Sequence, residues 1–430
     1  MKEKFIKSTI ILLIGGLVTK VLSLVIKITM TRLMGPKGLS QYMLVLPTFS
    51  LLINIGTFSI PLALSKLISE DKRNNKKLFF SVLPILLVIN LSLILLIIIS
   101  AKYISTNLLK NKDLYISILS MSLVIPFTTI SSICRSYFFG KERMFPHVIS
   151  NIIENITRLI LMIIGIPYFL KFNLKYTICY IILSNIISEI VSTLVLIFFL
   201  PKQISLKKDD FIPNKEYIKD TLKISVPNTL SRLIGSISYF LEPIILIKFL
   251  SRNYSLSYIT TEYGVIGGYI IPLILLPSFF TLAISQALLP LVSKEYTKNN
   301  LIYIKRKIKQ TLLITLAMGL IVTIPLTLQP EFFLRIIYKT TIGAQYMKIL
   351  APICIFEYIQ SPISFSLDAM GKSKDNFITS IISIISRLIS LIILSNFKLG
   401  IYSYIISLSI NIVLTTLYPY VKLKKYLNYT

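Results

Sequence analysis

Apolar residues in this chain come in long unbroken blocks separated by short polar stretches, instead of alternating within each segment. Stretches 83–100, 178–200, 311–328 and 378–394 each approach the roughly 20 residues that carry a helix across ~30 Å of hydrocarbon. A water-soluble helix would set a polar stripe inside such a block. These blocks do not alternate in that way, so they read as membrane-spanning helices. Cutting at the polar punctuation predicts helices near 8–31, 41–65, 78–100, 114–138, 147–169, 176–200, 223–249, 264–291, 310–329, 346–369, 376–395 and 400–421. No connection is long enough to hold a soluble domain. The expected fold class is all-α and integral to the membrane, with about twelve transmembrane helices.

Charge orients these helices and narrows the function. The chain is 54% hydrophobic and 15% charged, yet carries a net charge of +28. Nucleic-acid binders gather Lys and Arg on one folded surface. Here the cations sit in the short loops, which argues against nucleic acid and for a topology signal with attraction to anionic lipids. With the N-terminus inside, 27 of the 46 Lys and Arg fall before the first helix, around 66–77, 141–143, 202–223, 294–309 and 372–374, and after the last helix. The opposite loops hold 12 and the helices seven. The excess predicts a multi-pass bacterial plasma-membrane protein with both termini cytoplasmic. Basic residues before Ser8 resemble the start of a signal peptide. The apolar stretch that follows is too long and lacks a small-residue cleavage site, so it reads as an uncleaved first helix. Cys134, Cys179 and Cys354 are too scattered for a metal site or disulfide framework, and no cofactor is implied.

The halves repeat. Leu46-Pro47-Thr48-Phe49 and Pro61-Leu62-Ala63-Leu64-Ser65-Lys66 parallel Leu276-Pro277-Ser278-Phe279 and Pro290-Leu291-Val292-Ser293-Lys294. Gly140-Lys141 and Arg158-Leu159-Ile160 likewise parallel Gly371-Lys372 and Arg387-Leu388-Ile389. One shift of about 228–231 residues accounts for all four anchors. A parallel repeat predicts a six-helix lobe at 1–200, a charged cytoplasmic linker at 201–223 and a second six-helix lobe at 224–430. That arrangement is the signature of a transporter whose site lies between its lobes.

Ionisable residues inside such helices cost ~2.5–3.5 kcal/mol each at the bilayer centre. They are Lys20, Lys27, Arg135, Arg158, Arg232, Lys248 and Arg387, with Glu154, Glu189, Glu242, Glu357 and Asp368. Arg135, Lys248 and Asp368 lie near predicted helix ends, where a side chain reaches the interface. Lys20 and Lys27 are seven apart and share a face. Glu154 and Arg158 are four apart; that spacing suits either a mutual ion pair or a shared cavity. Arg387 repeats Arg158 without an acid four residues earlier. Glu242 precedes Pro243, which frees a backbone carbonyl, and is the candidate for a coupling cation or proton. Together Lys20, Lys27, Glu154, Arg158, Arg232 and Arg387 predict a wet, net-positive central cavity. Phosphate or pyrophosphate fits it, because Arg offers forked donors and Lys a point charge. Pro47, Pro61, Pro277 and Pro290 are hinge candidates, and Pro272 interrupts the eighth helix as well.

Rival classes fit less well. A cation-coupled multidrug antiporter would favour carboxylates in the cavity, whereas basic residues outnumber acidic ones seven to five. A membrane acyltransferase needs a histidine within the bilayer, but the one histidine, His147, falls at a predicted loop–helix junction and reads as a surface residue. A polysaccharide polymerase would carry a large external loop. The chain reads as a transporter and not an enzyme, although a passive scramblase would look much the same.

Several stretches resemble one family. Phe5-Ile6-Lys7 through Thr31-Arg32-Leu33-Met34-Gly35, Gln41-Tyr42 and the Pro61 motif resemble the opening of the stage V sporulation protein B family. Arg135-Ser136-Tyr137-Phe138-Phe139-Gly140, Met144-Phe145-Pro146, Ser150 and Glu154 to Arg158 resemble its most specific internal stretch, and Tyr263-Gly264 through Ser293-Lys294 continue the likeness. That family belongs to the polysaccharide-transport branch of the multidrug/oligosaccharidyl-lipid/polysaccharide (MOP) exporter superfamily, with the lipid II flippases and the MATE transporters. The resemblance implies a flippase that moves an undecaprenyl-pyrophosphate-linked saccharide by alternating access, for cell-wall, spore-cortex or polysaccharide synthesis. It also implies that Glu154, Arg158 and the first-helix lysines face the cavity. Implied partners are the lipid-linked oligosaccharide, a coupling cation or proton, and cell-wall synthesis proteins. Relatives often have fourteen helices, whereas the twelfth here is followed only by 422–430. Lipid II flippases also carry an arginine pair after the proline of the second helix, and 47–56 has no arginine.

Overall fold

The computed structural model describes residues 2–70, 73–200 and 212–428. The first helices are α1 (Lys2–Thr57), α2 (Ile60–Ser69), α3 (Asn75–Tyr103), α4 (Tyr115–Gly140), α5 (Met144–Leu170), α6 (Leu174–Phe198) and α7 (Lys215–Leu250). They are followed by α8 (Leu256–Val265), α9 (Ile271–Ile274), α10 (Ser278–Thr297), α11 (Leu301–Leu328) and α12 (Pro330–Tyr338). The last four are α13 (Ala344–Ile353), α14 (Ile355–Ala369), α15 (Ser373–Ser395) and α16 (Tyr402–Asn428). No strand occurs among the described residues.

Ten of these segments are long and apolar enough to cross a membrane, and a bent pair joining Leu256–Ile274 to Ser278–Thr297 makes an eleventh. The first, Ile14–Ser69, has 56 residues, which at 1.5 Å per residue is far more than one bilayer requires. It divides at Gly35, whose φ of 65° and ψ of −178° break the helical path, and Pro36 then opens the next limb. Counting its two limbs separately brings the described spans to the expected twelve. The loop expected at 32–40 has collapsed to that one glycine, because only glycine enters this conformation without a Cβ penalty.

The second and eighth helices are each interrupted, though at different prolines. In the first half, Phe58 and Ser59 take left-handed angles and Pro61 lies in the first turn of α2, a position that needs no backbone donor. Pro47 sits inside the continuous second limb of α1. In the second half the break precedes α10, with Pro277 as its N-cap and a bend of 50°, while Pro290 lies inside continuous helix. A π turn at Ile266–Ile270 loosens the same span further.

Each break is closed by a side chain from another helix. Asn90 on α3 donates from Nδ2 to Gly56 O (3.3 Å) and Leu86 O (2.7 Å), and its Oδ1 accepts from Thr129 on α4. On α14, Tyr358 donates from its hydroxyl to Ile274 O at 2.5 Å, at the end of α9. Asn90→Leu is expected to lower stability by about 1–3 kcal/mol, since Gly56 O and Thr129 lose a buried partner. Thermal unfolding in detergent micelles measures it, and an unchanged midpoint would show that Asn90 does not close the break.

The chain divides into two compact units, Met1–Ile244 and Ile245–Thr430. In the first, α5 packs on α1 and α6, and α4 packs on α6 and α2. The start of α7 is fastened to the same unit. Arg73 binds both Glu70 (2.9 Å) and Asp220 (2.6 Å), Asn214 N donates to Ser81 Oγ (2.9 Å), and Tyr217 and Ile224 pack on a core that includes Ile60, Leu64, Leu78 and Val82. In the second unit, α14 packs on α10, α11 and α16 around Leu288, Val292, Ile308, Ile363 and Leu423, and α15 packs on α16. The unit boundary falls inside α7, one residue past Pro243. The part of the expected linker at 201–211 lies outside the described residues.

Candidate functional site

An ionic cluster occupies the interior of the first unit. Glu154 and Arg158 sit one turn apart on α5, and Arg158 donates from Nη2 to Glu154 Oε1 at 2.6 Å. From α4, the Nη2 of Arg135 reaches Glu154 Oε2 (2.5 Å), Glu189 Oε2 (2.6 Å) and Ser192 Oγ (3.0 Å), the last two on α6. Both carboxylates are buried, with 7% and 6% of their surface exposed. Two acids and two arginines make the cluster formally neutral. It holds charges that would be costly in isolation, and it ties three helices together.

Arg135 corrects the expectation from its position near a helix end. It turns inward, not to the interface, because Glu154 and Glu189 offer more than a headgroup would. Arg135 is also the residue, with Glu189, that sequence reasoning left out of the site. A signal was present: Thr128 and Ser131, seven and four residues before Arg135, are buried and mark a polar inward face. Ser192 does the same for Glu189.

The cluster belongs to one half only. At the 229-residue offset that pairs Arg158 with Arg387, the positions of Arg135, Glu154 and Glu189 become Ser364, Ser383 and Tyr418. Arg387 is half-buried on α15 in the second unit and lies over the Tyr404 ring at 5.9 Å.

The other candidates are distributed as follows. Lys20 is exposed and Lys27 half-buried on α1; between them, Ser23 Oγ donates to Asn155 Oδ1 (3.4 Å), next to Glu154 on α5. Arg232 is exposed on α7 and donates to Asn54 Oδ1 at 2.6 Å, while Asn54 Nδ2 donates to Ser236 Oγ at 2.5 Å. Glu242 is 1% exposed, in the last residues of the first unit. Lys20, Lys27, Glu154, Arg158, Arg232 and Glu242 thus all fall within one unit and Arg387 in the other. His147 is half-buried at the start of α5, against the Phe139 ring at 5.6 Å, and is not the surface residue expected.

Comparison with known proteins places the chain. The sequence profile described as "Polysaccharide biosynthesis protein" matches residues 5–296, and the MatE profile matches 266–393. Stage V sporulation protein B of Bacillus subtilis (strain 168) is 29% identical over 428 residues, covering 97% of this chain and 83% of that protein. Sporulation protein YkvU of the same organism is 23% identical over 429 residues, covering 98% and 96%. Among solved structures, an inward-facing multidrug resistance MATE family transporter of the MOP superfamily superposes with a TM-score of 0.75 at 15% identity, covering 96% of this chain and 95% of that one. The lipid II flippase MurJ in an inward closed conformation gives 0.74 at 20% identity, covering 96% and 87%. The fold is therefore that of a MOP-superfamily membrane transporter. Within that class, the chain belongs to the polysaccharide biosynthesis protein family.

Proposed function

We propose that the protein is a flippase that moves an undecaprenyl-pyrophosphate-linked saccharide across the bacterial plasma membrane by alternating access, with both termini cytoplasmic. The observation that carries this reading is the sign of the charge set deep in the helices predicted from sequence, where seven basic residues stand against five acidic ones. The Arg135–Glu154–Arg158–Glu189 cluster is balanced, so the surplus comes from Lys20, Lys27, Arg232, Lys248 and Arg387 over the remaining acids. A pyrophosphate attracts such a surplus, and a cationic drug is repelled by it. The family profile supports a part in polysaccharide biosynthesis, and the sporulation relatives support a setting in spore formation. In this reading Lys20, Lys27, Glu154, Arg158, Arg232 and Arg387 contact the substrate, Glu242 binds a coupling cation or proton, and Pro47, Pro61, Pro277 and Pro290 act as hinges. Cell-wall synthesis proteins supply or consume the substrate.

Proteoliposomes containing the purified chain and a fluorescent lipid-pyrophosphate saccharide test the proposal. Translocation is expected to exceed that of protein-free vesicles. In Arg158→Ala and Arg387→Ala it should fall about tenfold, the scale of one lost charge-assisted contact. Equal rates in wild type and both variants would remove these arginines from the site. Export of a cationic drug with no lipid movement would replace the flippase reading with an antiporter.

A further inference from the structure

A second candidate site lies in the second unit, lined by none of the residues assigned above. The short helix α12 spans nine residues, about 13 Å, and lies between the end of α11 and the start of α13, at the ends of two helices long and apolar enough to cross a membrane. It is strongly two-sided. Pro330, Leu334 and Tyr338 are buried, and the Tyr338 ring packs on Tyr269 with centroids 5.0 Å apart. The opposite face exposes Phe332 (54%) and Ile336 (57%), next to Leu328 (73%) at the end of α11.

Beside that apolar face is a cavity of about 430 Å³ lined by Leu328, Gln329, Pro330, Glu331, Phe332, Arg335 and Lys348. Arg335 and Lys348 enter it from different helices, and neither forms an ion pair among the described residues. Glu331 is the one acid in the lining, which leaves the cavity with one net positive charge. The first half has Thr106 and Leu119 at the positions of Arg335 and Lys348, so the repeated fold does not require these cations.

We infer that this cavity holds the headgroup of an anionic glycerophospholipid. Its phosphodiester lies between Arg335 and Lys348, with Gln329 as a neutral donor. Its acyl chains run along Leu328, Phe332 and Ile336. The match is of charge as well as of polarity: a singly charged phosphodiester neutralises the lining, and the apolar face leads from it toward hydrocarbon. A soluble anion would use the cations and leave the apolar face uncovered. The inference does not depend on what the protein transports.

Native mass spectrometry of the full-length protein in micelles, titrated with phosphatidylglycerol, phosphatidylcholine or inorganic phosphate, tests it. Wild type is expected to retain one more phosphatidylglycerol than Arg335→Gln/Lys348→Gln, whose affinity for that lipid falls about tenfold with phosphatidylcholine unaffected. Phe332→Ser, which leaves both charges in place, should also weaken phosphatidylglycerol binding. An unchanged lipid count in the double variant would overturn the site. So would an equal loss in Lys110→Gln/Lys112→Gln, since the effect would then be general surface charge. Competition by inorganic phosphate at the same concentration as the lipid would overturn it as well, because the apolar face would then contribute nothing.

Discussion

Arg135→Met is expected to destabilise the protein more than any other single change in the first unit, by about 3–5 kcal/mol, and to abolish transport with it. One guanidinium nitrogen holds Glu154, Glu189 and Ser192 together, and Glu154 keeps a second partner in Arg158. Removing Arg135 therefore strands Glu189 above all, a carboxylate only 6% exposed. Neutralising that group should repair much of the damage. The double variant Arg135→Met/Glu189→Gln is expected to recover more than half of the lost stability, because the Glu154–Arg158 pair is left intact. Unfolding midpoints in micelles for the two single variants and the double variant give the coupling directly. If the double variant were no more stable than Arg135→Met alone, the bridge would not be what supports these three helices.

The second large effect is expected at Gly319→Val, on α11. A Cβ at this position collides with the ring of Tyr358, which is completely buried and whose hydroxyl closes the break at Ile274 O. The ring has no room to retreat, so the added bulk both overpacks the core and pulls the hydroxyl from its acceptor. The sum is about 3 kcal/mol or more. Tyr358→Phe isolates the hydrogen-bond part, and Gly319→Val/Tyr358→Ala should relieve the steric part. Thermal unfolding of the three variants separates the two contributions. Equal stability of Gly319→Val and wild type would mean that the ring is mobile.

The number and placement of the spanning helices could be read from the chain because hydrocarbon imposes a length on every apolar block. Glu154 and Arg158 were readable as neighbours for a similarly local reason, since four residues bring two side chains onto one face. What stayed hidden depends on rotation and on contacts far apart in sequence. Distance from a helix end said that Arg135 could reach the interface, but not that α5 and α6 would present two carboxylates to it. Prolines at matching positions suggested matching interruptions. In the structure the local partners decide: Ser59 and Phe58 turn the chain before Pro61, whereas Pro277 begins α10 outright. Asn90 and Tyr358 carried no sequence signal of their own, because their role is set by carbonyls 34 and 84 residues away.

The unequal placement of the two interruptions has a mechanical consequence. Carried across the repeat, the break beside Pro277 corresponds to the region of Pro47, about three helical turns or roughly 16 Å from the actual break at Phe58–Ser59. An intact hydrogen-bond ladder is stiff, so compliance concentrates where the ladder stops. The two halves share sequence motifs but differ in where the ladder stops. Two copies of either half would place their breaks alike, whereas here the points expected to yield first stand about three turns apart along the repeat.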